Sequence, residues 1–304
     1  MKTGLLFSGQ GAQQVGMGQT LYDAYSTARD FFRRADEILG YRLSSLCFDG
    51  PEEKLRETRN CQPALFVHGM AAYSALREHC SQNESDREFG AMMGLSLGEL
   101  TSLTAGGAFD FETGLRTVAA RADFMQKACE ESEGAMASLI GGTLEEVHEL
   151  CKICELEVAN MNCPGQIVVS GPKDNIDRAV EKGGEWNFKR VVPLNVAGAY
   201  HSRLMEPARK EFERFLSELP IHSPQCPVYS NVTARAEYDP EVIRNNLASQ
   251  VVSPVRWEEC FRAAIDAGVT EFYECGPGNV CAGLAKRIDR SATVYPAGQA
   301  EDLS

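Results

Sequence analysis

A strand-like segment that runs into a glycine-flanked serine and then into a helix constrains this chain more than any other feature. Residues 90–103 read GAMMGLSLGELTSL and place Ser96 between Gly94 and Gly98. A strand, a tight turn and a helix in succession are typical of βαβ units, whose strands lie parallel in a buried sheet. Because strands and helices alternate elsewhere too, we predict the α/β class, with a large domain built on a mainly parallel sheet.

Residues 134–196 follow a different order. The strand-like runs GAMASLIGG, CELEVANMN, GQIVVSG and FKRVVPLNV are combined with the helical runs TLEEVHELCKI and PKDNIDRAVEKGG. The resulting order, β-α-β-β-α-β, is ferredoxin-like. We predict a small ferredoxin-like domain over residues 131–197, inserted into a large domain formed by residues 1–130 and 198–304. After it we predict a long helix over 199–219 and a strand over 226–234.

Composition narrows the class of protein. The 304 residues are 43% hydrophobic and 24% charged, as in globular proteins that stay in solution. A net charge of −13 argues against nucleic acid as a partner, because phosphate binding needs a basic surface. The chain lacks an apolar run of about 18 residues, and its N-terminal block Leu5-Leu6-Phe7 is too short for a signal peptide. We therefore predict a cytoplasmic protein.

The eleven cysteines are scattered, and a chain of this length does not need disulfides for stability. We interpret them as reduced. Cys151 and Cys154 have the spacing of a zinc or dithiol pair, but a second such pair and neighbouring paired histidines are missing from the sequence. Packed or surface cysteines are the favoured interpretation, and we predict no metal site.

Gly-x-Ser-x-Gly between a strand and a helix is the sequence of a nucleophile elbow. Its sharp turn points the serine hydroxyl out of the sheet, and glycines on either side of Ser96 relieve the crowding that the turn creates. The N-terminus of the following helix can stabilise an oxyanion. The alternative is a glycine-rich turn with a structural serine.

An activated serine needs a base. Five histidines are available: His68, His79, His148, His201 and His222. His201 follows the predicted small domain in NVAGAYHSRLM, where the chain re-enters the large domain among small residues. We select His201 as the candidate base because of this position.

Arg121 lies 25 residues after Ser96 on a rather apolar helix. A surface arginine whose stem covers apolar neighbours is one interpretation. The other is a buried guanidinium that binds a carboxylate through two parallel hydrogen bonds.

Nine blocks along the chain carry a resemblance to a known family. They are FSGQGAQ (7–13), QPAL (62–65), GLSLGE (94–99), RADFMQKA (121–128), GAMASLIG (134–141), ANMNCPGQIVVSG (159–171), GAYHSRLM (198–205), SPVRW (253–257) and GPGNVCAGLAKRI (276–288). In this order they resemble the malonyl-CoA:acyl carrier protein transacylases, the acyltransferase family of fatty-acid and polyketide synthesis. The resemblance covers nearly the whole chain and implies a hydrolase-like α/β domain with a ferredoxin-like insertion.

The resemblance implies a role for each site residue. Ser96 would carry the acyl group, His201 would be its base, and the backbone N–H groups of Gln10 and Leu97 would form the oxyanion hole. In this family a backbone carbonyl near the position of Gln250, rather than an aspartate, orients the histidine. That would explain why the sequence has no distinctive third acid.

The resemblance also implies the substrates. Arg121 would hold the malonyl carboxylate, with Gln250 and Gln62 in the same pocket. Malonyl-CoA and an acyl carrier protein would be the partners, and no cofactor is implied.

Acyl carrier proteins are typically acidic, so a chain of charge −13 needs a local basic patch to attract one. We select the pairs Lys189-Arg190 and Lys286-Arg287 as possible contacts, with ordinary solvated surface charge as the alternative.

Two positions depart from the family pattern. Leu95 replaces the usual histidine before the nucleophile, and Tyr200 stands where members that use malonyl often have phenylalanine. Two other functions remain open from the sequence. One is a serine hydrolase or thioesterase on a related scaffold, and the other is a carrier-protein-docking module with impaired catalysis.

Overall fold

A computed structural model describes residues 2–82 and 89–303 of the chain. Within these ranges the strands are β1 (Lys2–Phe7), β2 (Phe89–Gly94), β3 (Gly134–Gly141), β4 (Glu157–Cys163), β5 (Gln166–Pro172), β6 (Phe188–Pro193), β7 (Val228–Tyr229), β8 (Ala236–Glu237), β9 (Val269–Cys275) and β10 (Thr293–Pro296).

The α-helices within the same ranges are α1 (Gln19–Ala24), α2 (Ser26–Leu39), α3 (Leu43–Asp49), α4 (Glu52–Arg56), α5 (Thr58–Gln82), α6 (Leu97–Ala105), α7 (Phe111–Glu130), α8 (Leu144–Cys154), α9 (Lys173–Lys182), α10 (Glu206–Ser217), α11 (Pro240–Gln250), α12 (Trp257–Asp266) and α13 (Val280–Ile288). Short 3₁₀ helices lie at Gly183–Glu185, Arg203–Met205 and Ala300–Leu303.

The larger sheet has the strand order β10-β9-β1-β2-β7-β8. All of its pairs are parallel except β7 with β8. Phe7 at the end of β1 is in register with Gly94 of β2 and with Cys275 of β9. The carboxyl ends of these three central strands therefore meet at one edge, where open α/β sheets bind their ligands.

Each face of this sheet packs against its own apolar core. Leu5 and Phe7 belong to one core and Leu6 to the other, because successive side chains of a strand point to opposite faces. The first core takes in most of the buried side of α5, and the second includes Trp257 of α12 and Leu284 of α13. The α/β prediction with a mainly parallel sheet is confirmed.

The smaller sheet is antiparallel, with the order β4-β5-β3-β6. Helices α8 and α9 cover one face, with Leu150 and Ile176 in a third apolar core. The elements follow one another as β3-α8-β4-β5-α9-β6, the ferredoxin-like order expected from the sequence. They lie within residues 131–197, and the domain boundaries themselves stay a prediction.

Two predicted elements are wrong in extent. The helix predicted over 199–219 begins at Glu206, because Ser202 caps a 3₁₀ turn by accepting a hydrogen bond from the Leu204 amide, and His201 has a φ of 59° that no helix accommodates. The strand predicted over 226–234 ends at Tyr229, because the Ala234 amide donates back to the Ser230 carbonyl and closes a turn.

The cysteines form no disulfide, and ten of the eleven are buried. Cys151 and Cys154 lie buried on α8 within the third core. Among the described residues, His, Cys, Asp and Glu side chains form no group of three that could hold a metal ion. The described helices include none that is both long and apolar enough to cross a membrane.

Candidate active site

Ser96 occupies a strained turn between β2 and α6. Its φ of 51° and ψ of −100° lie outside the regions that non-glycine residues normally adopt. The turn is so tight that a Cβ atom at Gly94 would lie 2.0 Å from the carbonyl carbon of Gly98, and one at Gly98 would lie 2.4 Å from the Phe7 carbonyl oxygen. The glycines on either side of Ser96 are therefore required by close backbone contact.

A hydrogen-bonded chain runs from Ser96 through His201 to a backbone carbonyl. The Ser96 Oγ atom lies 2.9 Å from Nε2 of His201, and Nδ1 of His201 lies 2.9 Å from the carbonyl oxygen of Gln250. A carbonyl can accept but not donate, so Nδ1 carries the proton and Nε2 is free to accept the serine proton. Burial, assisted by the charge of Arg121, lowers the pKa of His201 to about 4 and keeps the ring neutral.

Arg121 of α7 is a buried cation, only 1% exposed. Its Nη1 donates to Oε1 of Gln62 at 2.7 Å, and its Nη2 donates to Oε1 of Gln250 at 2.9 Å. Nη2 also donates to Oγ of Ser96 at 2.9 Å. Burial lowers the pKa of Arg121 to about 10, which still leaves it charged near neutral pH. The surface-arginine interpretation is therefore wrong.

Two polar residues that the sequence prediction did not select lie behind these groups. Glu99, on the first turn of α6, is 2% exposed and accepts from Nε2 of Gln250 at 2.6 Å and from the Asn231 amide at 2.9 Å. Burial raises the pKa of Glu99 to about 7. A glutamate on the first turn of a helix is usually exposed and stabilises the helix dipole, so its sequence position did not mark it as buried.

Asn231 holds the elbow from the other side. Its side-chain oxygen accepts from the Ser96 amide at 2.8 Å, and its side-chain nitrogen donates to the Gly94 carbonyl at 2.9 Å. These two bonds fix the backbone immediately before and at the serine. The short segment SNVT around Asn231 carries no motif that would reveal this contact.

Ser96, His201, Arg121 and Gln62 line a cavity of about 220 Å³ between the two sheets, and Gln250, Glu99 and Asn231 lie behind them. The large-sheet wall includes Gln10 and Leu97, the two residues whose amides would form the oxyanion hole according to the family resemblance. Leu97 is the first residue of α6, and the first amides of a helix have no partner within it. The small-sheet wall is made by residues of β3, β4 and β5 together with the segment that follows β6: Met136, Asn160, Asn162, Gln166, Val168, Leu194 and Val196.

Both departures from the family pattern also line this cavity. Leu95 is 8% exposed and packs in the second core. The Tyr200 hydroxyl lies 2.5 Å from Oγ1 of Thr58, so its polar atom is held by the N-terminus of α5. Each change therefore alters the wall of the cavity without touching the Ser96–His201 contact.

The four basic residues selected from the sequence are exposed. Arg287 contacts the Gln166 side chain and donates to the Pro164 carbonyl at 3.0 Å, which ties α13 to the turn between β4 and β5. Arg190 is paired with Ile140, which is itself paired with Gln166 of the cavity wall. Arg190 and Arg287 are thus near the cavity edge, while Lys189 lies beside Gly141, where the β3–β6 register is irregular.

Comparison with known proteins identifies the family of the chain. The acyl transferase domain family matches residues 5–292. The malonyl CoA-acyl carrier protein transacylase of Staphylococcus aureus (strain MRSA252) is 39% identical over 307 residues, covering 99% of this chain and 97% of its own.

Solved structures give the same result. The acyl-carrier-protein-S-malonyltransferase of Bartonella henselae superposes with a TM-score of 0.94 at 35% identity, covering 100% of this chain and 97% of its own. A malonyl-transacylase solved in complex with a type II PKS acyl-carrier protein superposes with a TM-score of 0.94 at 34% identity, covering 100% of this chain and 98% of its own. The chain therefore belongs to the acyl transferase domain family and, within it, to the malonyl CoA-acyl carrier protein transacylases.

Proposed function

We propose that this chain transfers a malonyl group from malonyl-CoA to the phosphopantetheine thiol of an acyl carrier protein, for fatty-acid or polyketide synthesis. The group would travel as an ester on Ser96. The observation that carries the proposal is the buried guanidinium of Arg121, 2.9 Å from the serine oxygen that would hold the acyl group. A cation at that distance suits an acyl chain that ends in a carboxylate.

In the first half-reaction His201 is the general base. Nε2 of His201 takes the Ser96 proton while Oγ attacks the thioester carbonyl of malonyl-CoA. The resulting oxyanion is placed against the backbone amides of Gln10 and Leu97. When the intermediate collapses, the carbon–sulfur bond breaks, and the departing CoA sulfur takes the proton from His201.

The second half-reaction reverses these roles with a different thiol. His201 takes the proton of the carrier thiol, whose sulfur attacks the malonyl ester on Ser96. Collapse of the second oxyanion breaks the ester bond, and the Ser96 oxygen recovers the proton from His201. Both half-reactions use protein groups and the two thiols, and no cofactor takes part in either.

Arg121 selects the acyl group through charge. Two amide oxygens, from Gln62 and Gln250, hold its guanidinium in place. A malonyl carboxylate pairs with this cation, and a charge-assisted hydrogen bond of this kind contributes about 1.5–3 kcal/mol. An acetyl group has no carboxylate, so the guanidinium keeps only its neutral hydrogen-bond partners and this stabilisation is absent.

The other two functions have no support from the relatives, which are named as transacylases. A hydrolase of uncharged esters also has no use for a buried arginine beside its nucleophile. An impaired docking module has no need of a serine within 2.9 Å of a neutral histidine.

The acidic carrier would approach the basic residues near the cavity edge, Arg190 and Arg287 foremost and Lys189 and Lys286 beside them. Their exposure leaves them available, and local positive charge offsets the repulsion expected from a net charge of −13. A cytoplasmic location stays a prediction from the sequence.

The direct test is mass spectrometry of the intact protein after mixing with malonyl-CoA and acetyl-CoA together. We expect a malonyl adduct that maps to Ser96, little acetyl adduct, and prompt loss of the malonyl group when a carrier protein is added. Ser96→Ala should show no adduct. A wild-type protein that stays unmodified by malonyl-CoA would exclude the proposed function.

A further inference from the structure

Two opposite charges are buried together behind the serine and are joined by one amide side chain. Oε1 of Gln250 accepts from Arg121 at 2.9 Å, while Nε2 of the same amide donates to Glu99 at 2.6 Å. Arg121 is 1% exposed, Gln250 0% and Glu99 2%. The three groups thus form a continuous bridge from cation to carboxylate with little access to water.

The partners of the Gln250 amide fix which way it faces. An ionised Glu99 and the Ser96 carbonyl, which lie 2.6 and 3.1 Å from Nε2, can only accept hydrogen bonds, so the NH₂ group of the amide faces them and its oxygen faces Arg121. The backbone oxygen of Gln250 accepts from His201 at 2.9 Å. A change in the charge of Glu99 therefore alters the electrostatic environment of Arg121 through the Gln250 side chain.

The groups around Glu99 are contributed by four elements. Arg121 of α7 is a cation within electrostatic reach, and α12 contributes the Cys260 thiol. Gln250 of α11 and the Asn231 amide donate hydrogen bonds to the carboxylate. The Ser230 hydroxyl is also within hydrogen-bonding reach. Burial raises the pKa of Cys260, so the thiol stays neutral and Arg121 is the charge that balances Glu99.

The charge balance changes when an acyl carboxylate arrives. When Glu99 is ionised, its charge and that of Arg121 cancel in the free site, whereas a bound malonyl carboxylate adds a second negative charge to the same buried cation. An uncompensated buried charge costs several kcal/mol, and two carboxylates near one cation raise each other's proton affinity.

We propose that Glu99 takes up a proton when the substrate carboxylate binds Arg121, so that loading of a malonyl group is coupled to the uptake of one proton. The inference rests on the proposed function. The proton comes from solvent and returns to it when the malonyl group leaves the site. Glu99 is in this sense a positioning residue, because it acts on the substrate through Gln250 and Arg121.

Two further observations support the inference. The pKa of Glu99 in the free site is about 7, so the carboxylate is ready to change state near neutral pH. The Ser230 hydroxyl next to it can accept the hydrogen bond of the new carboxyl proton. His201 is the other group whose pKa the bound carboxylate would raise, and the experiment must separate the two.

The sign of the pH dependence follows directly. Binding raises the pKa of Glu99, so malonyl loading is favoured at low pH and weakened as the pH rises. Below about pH 7 Glu99 is already protonated in the free site, so binding takes up no further proton there. The kcat/KM for malonyl loading should therefore not change with pH in that range. Above it, one coupled proton lowers kcat/KM for malonyl-CoA by about tenfold per pH unit, until the pKa of the complex is reached.

The experiment measures the loading half-reaction of the wild-type protein between about pH 6 and pH 9. Malonyl-CoA and acetyl-CoA are compared, and a pH indicator dye in weak buffer reports protons taken up per adduct. We expect close to one proton per malonyl group at about pH 8, none per acetyl group, and a falling kcat/KM for malonyl-CoA alone.

Variants identify the group that takes the proton. Glu99→Gln should lose both the uptake and the slope, while Glu274→Gln, which changes a second buried carboxylate, should keep them. Uptake that persists in Glu99→Gln assigns the proton to another group such as His201 and overturns the inference.

The wild-type comparison decides even where Glu99→Gln fails to fold. A malonyl adduct on Ser96 formed without proton uptake overturns this inference alone. No adduct at all overturns the proposed function along with it.

Discussion

Two strand–turn–helix units of the large sheet resemble each other closely, yet one forms the candidate site and the other does not. The first joins β2 to α6 through Ser96, and the second joins β9 to α13 through the sequence GPGN. Each has a nine-residue helix that follows a glycine-rich turn, and each has a buried glutamate. The two differ in what satisfies the first amides of the helix.

In the second unit a side chain of the protein accepts hydrogen bonds from amides at the start of the helix. The Glu274 carboxylate accepts from the amides of Cys281 and Ala282 at 2.8 and 2.9 Å and caps α13. In the first unit Glu99 is turned away from the helix terminus toward Gln250 and Asn231. Leu97, the first residue of α6, lines the cavity, and its amide is one of the two that we propose for the oxyanion hole. The candidate site therefore lies at α6, whose N-terminus is not capped by a side chain, and not at α13, whose first amides bind Glu274.

The largest expected effect concerns Arg121, the buried cation beside the first unit. Arg121→Ala should lower kcat/KM for malonyl loading by about 10²–10³-fold, because the substrate carboxylate would be buried without a partner. Acetyl loading should fall much less, so the ratio of the two substrates would change. Parallel measurement of both substrates by adduct formation gives the ratio.

Arg116→Ala is the matched control, since Arg116 lies on the same helix but is exposed and paired with Glu112. It should leave the ratio unchanged. An Arg121→Ala protein with wild-type preference for malonyl would refute the carboxylate role.

The tightness of the elbow predicts a smaller effect, on stability. Gly94→Ala should lower the free energy of unfolding by about 3 kcal/mol, because the new methyl group would meet the Gly98 backbone at 2.0 Å. Gly283→Ala, on the exposed side of α13 with open space around it, should raise the free energy of unfolding by up to about 1 kcal/mol. Urea denaturation of the two variants measures both. Equal effects at the two glycines would contradict the structural difference between the units.

The smallest expected effect comes from the cap of the second unit. Glu274→Gln should lower the free energy of unfolding by about 1 kcal/mol, because a neutral amide has one oxygen for two helix amides and no charge for the helix dipole. Malonyl loading on Ser96 should stay within about threefold of wild type, since Glu274 caps a helix outside the reacting groups. Thermal unfolding and adduct formation provide the two readouts. A large loss of loading would show that the second unit does take part in catalysis.

Regular periodicity made much of the fold predictable. The strands and helices of the small sheet follow the predicted order. Local patterns fail where side chains compete with the backbone. Ser202 caps a turn before α10, so the predicted helix starts seven residues late.

The residues of the candidate site likewise fall into those that local sequence identifies and those that it does not. Ser96 was identifiable because its turn needs specific neighbours, and those neighbours are adjacent in the sequence. Asn231 and the role of Glu99 were not, because hydrogen bonds of Asn231 to Gly94 and Ser96 span 137 and 135 residues. Nothing local distinguishes such residues from ordinary polar surface groups.

The sequence by itself determined the α/β class, the inserted β-α-β-β-α-β unit and the strained serine turn, because each depends on residues that are near neighbours along the chain. The family resemblance already implied that a backbone carbonyl near Gln250 orients His201. The tertiary structure alone decided that Arg121 is buried and that Glu99 faces Gln250 instead of capping its helix. These two outcomes depend on which distant segments exclude water from a charge. Desolvation is a property of the packed molecule, and local sequence does not contain it.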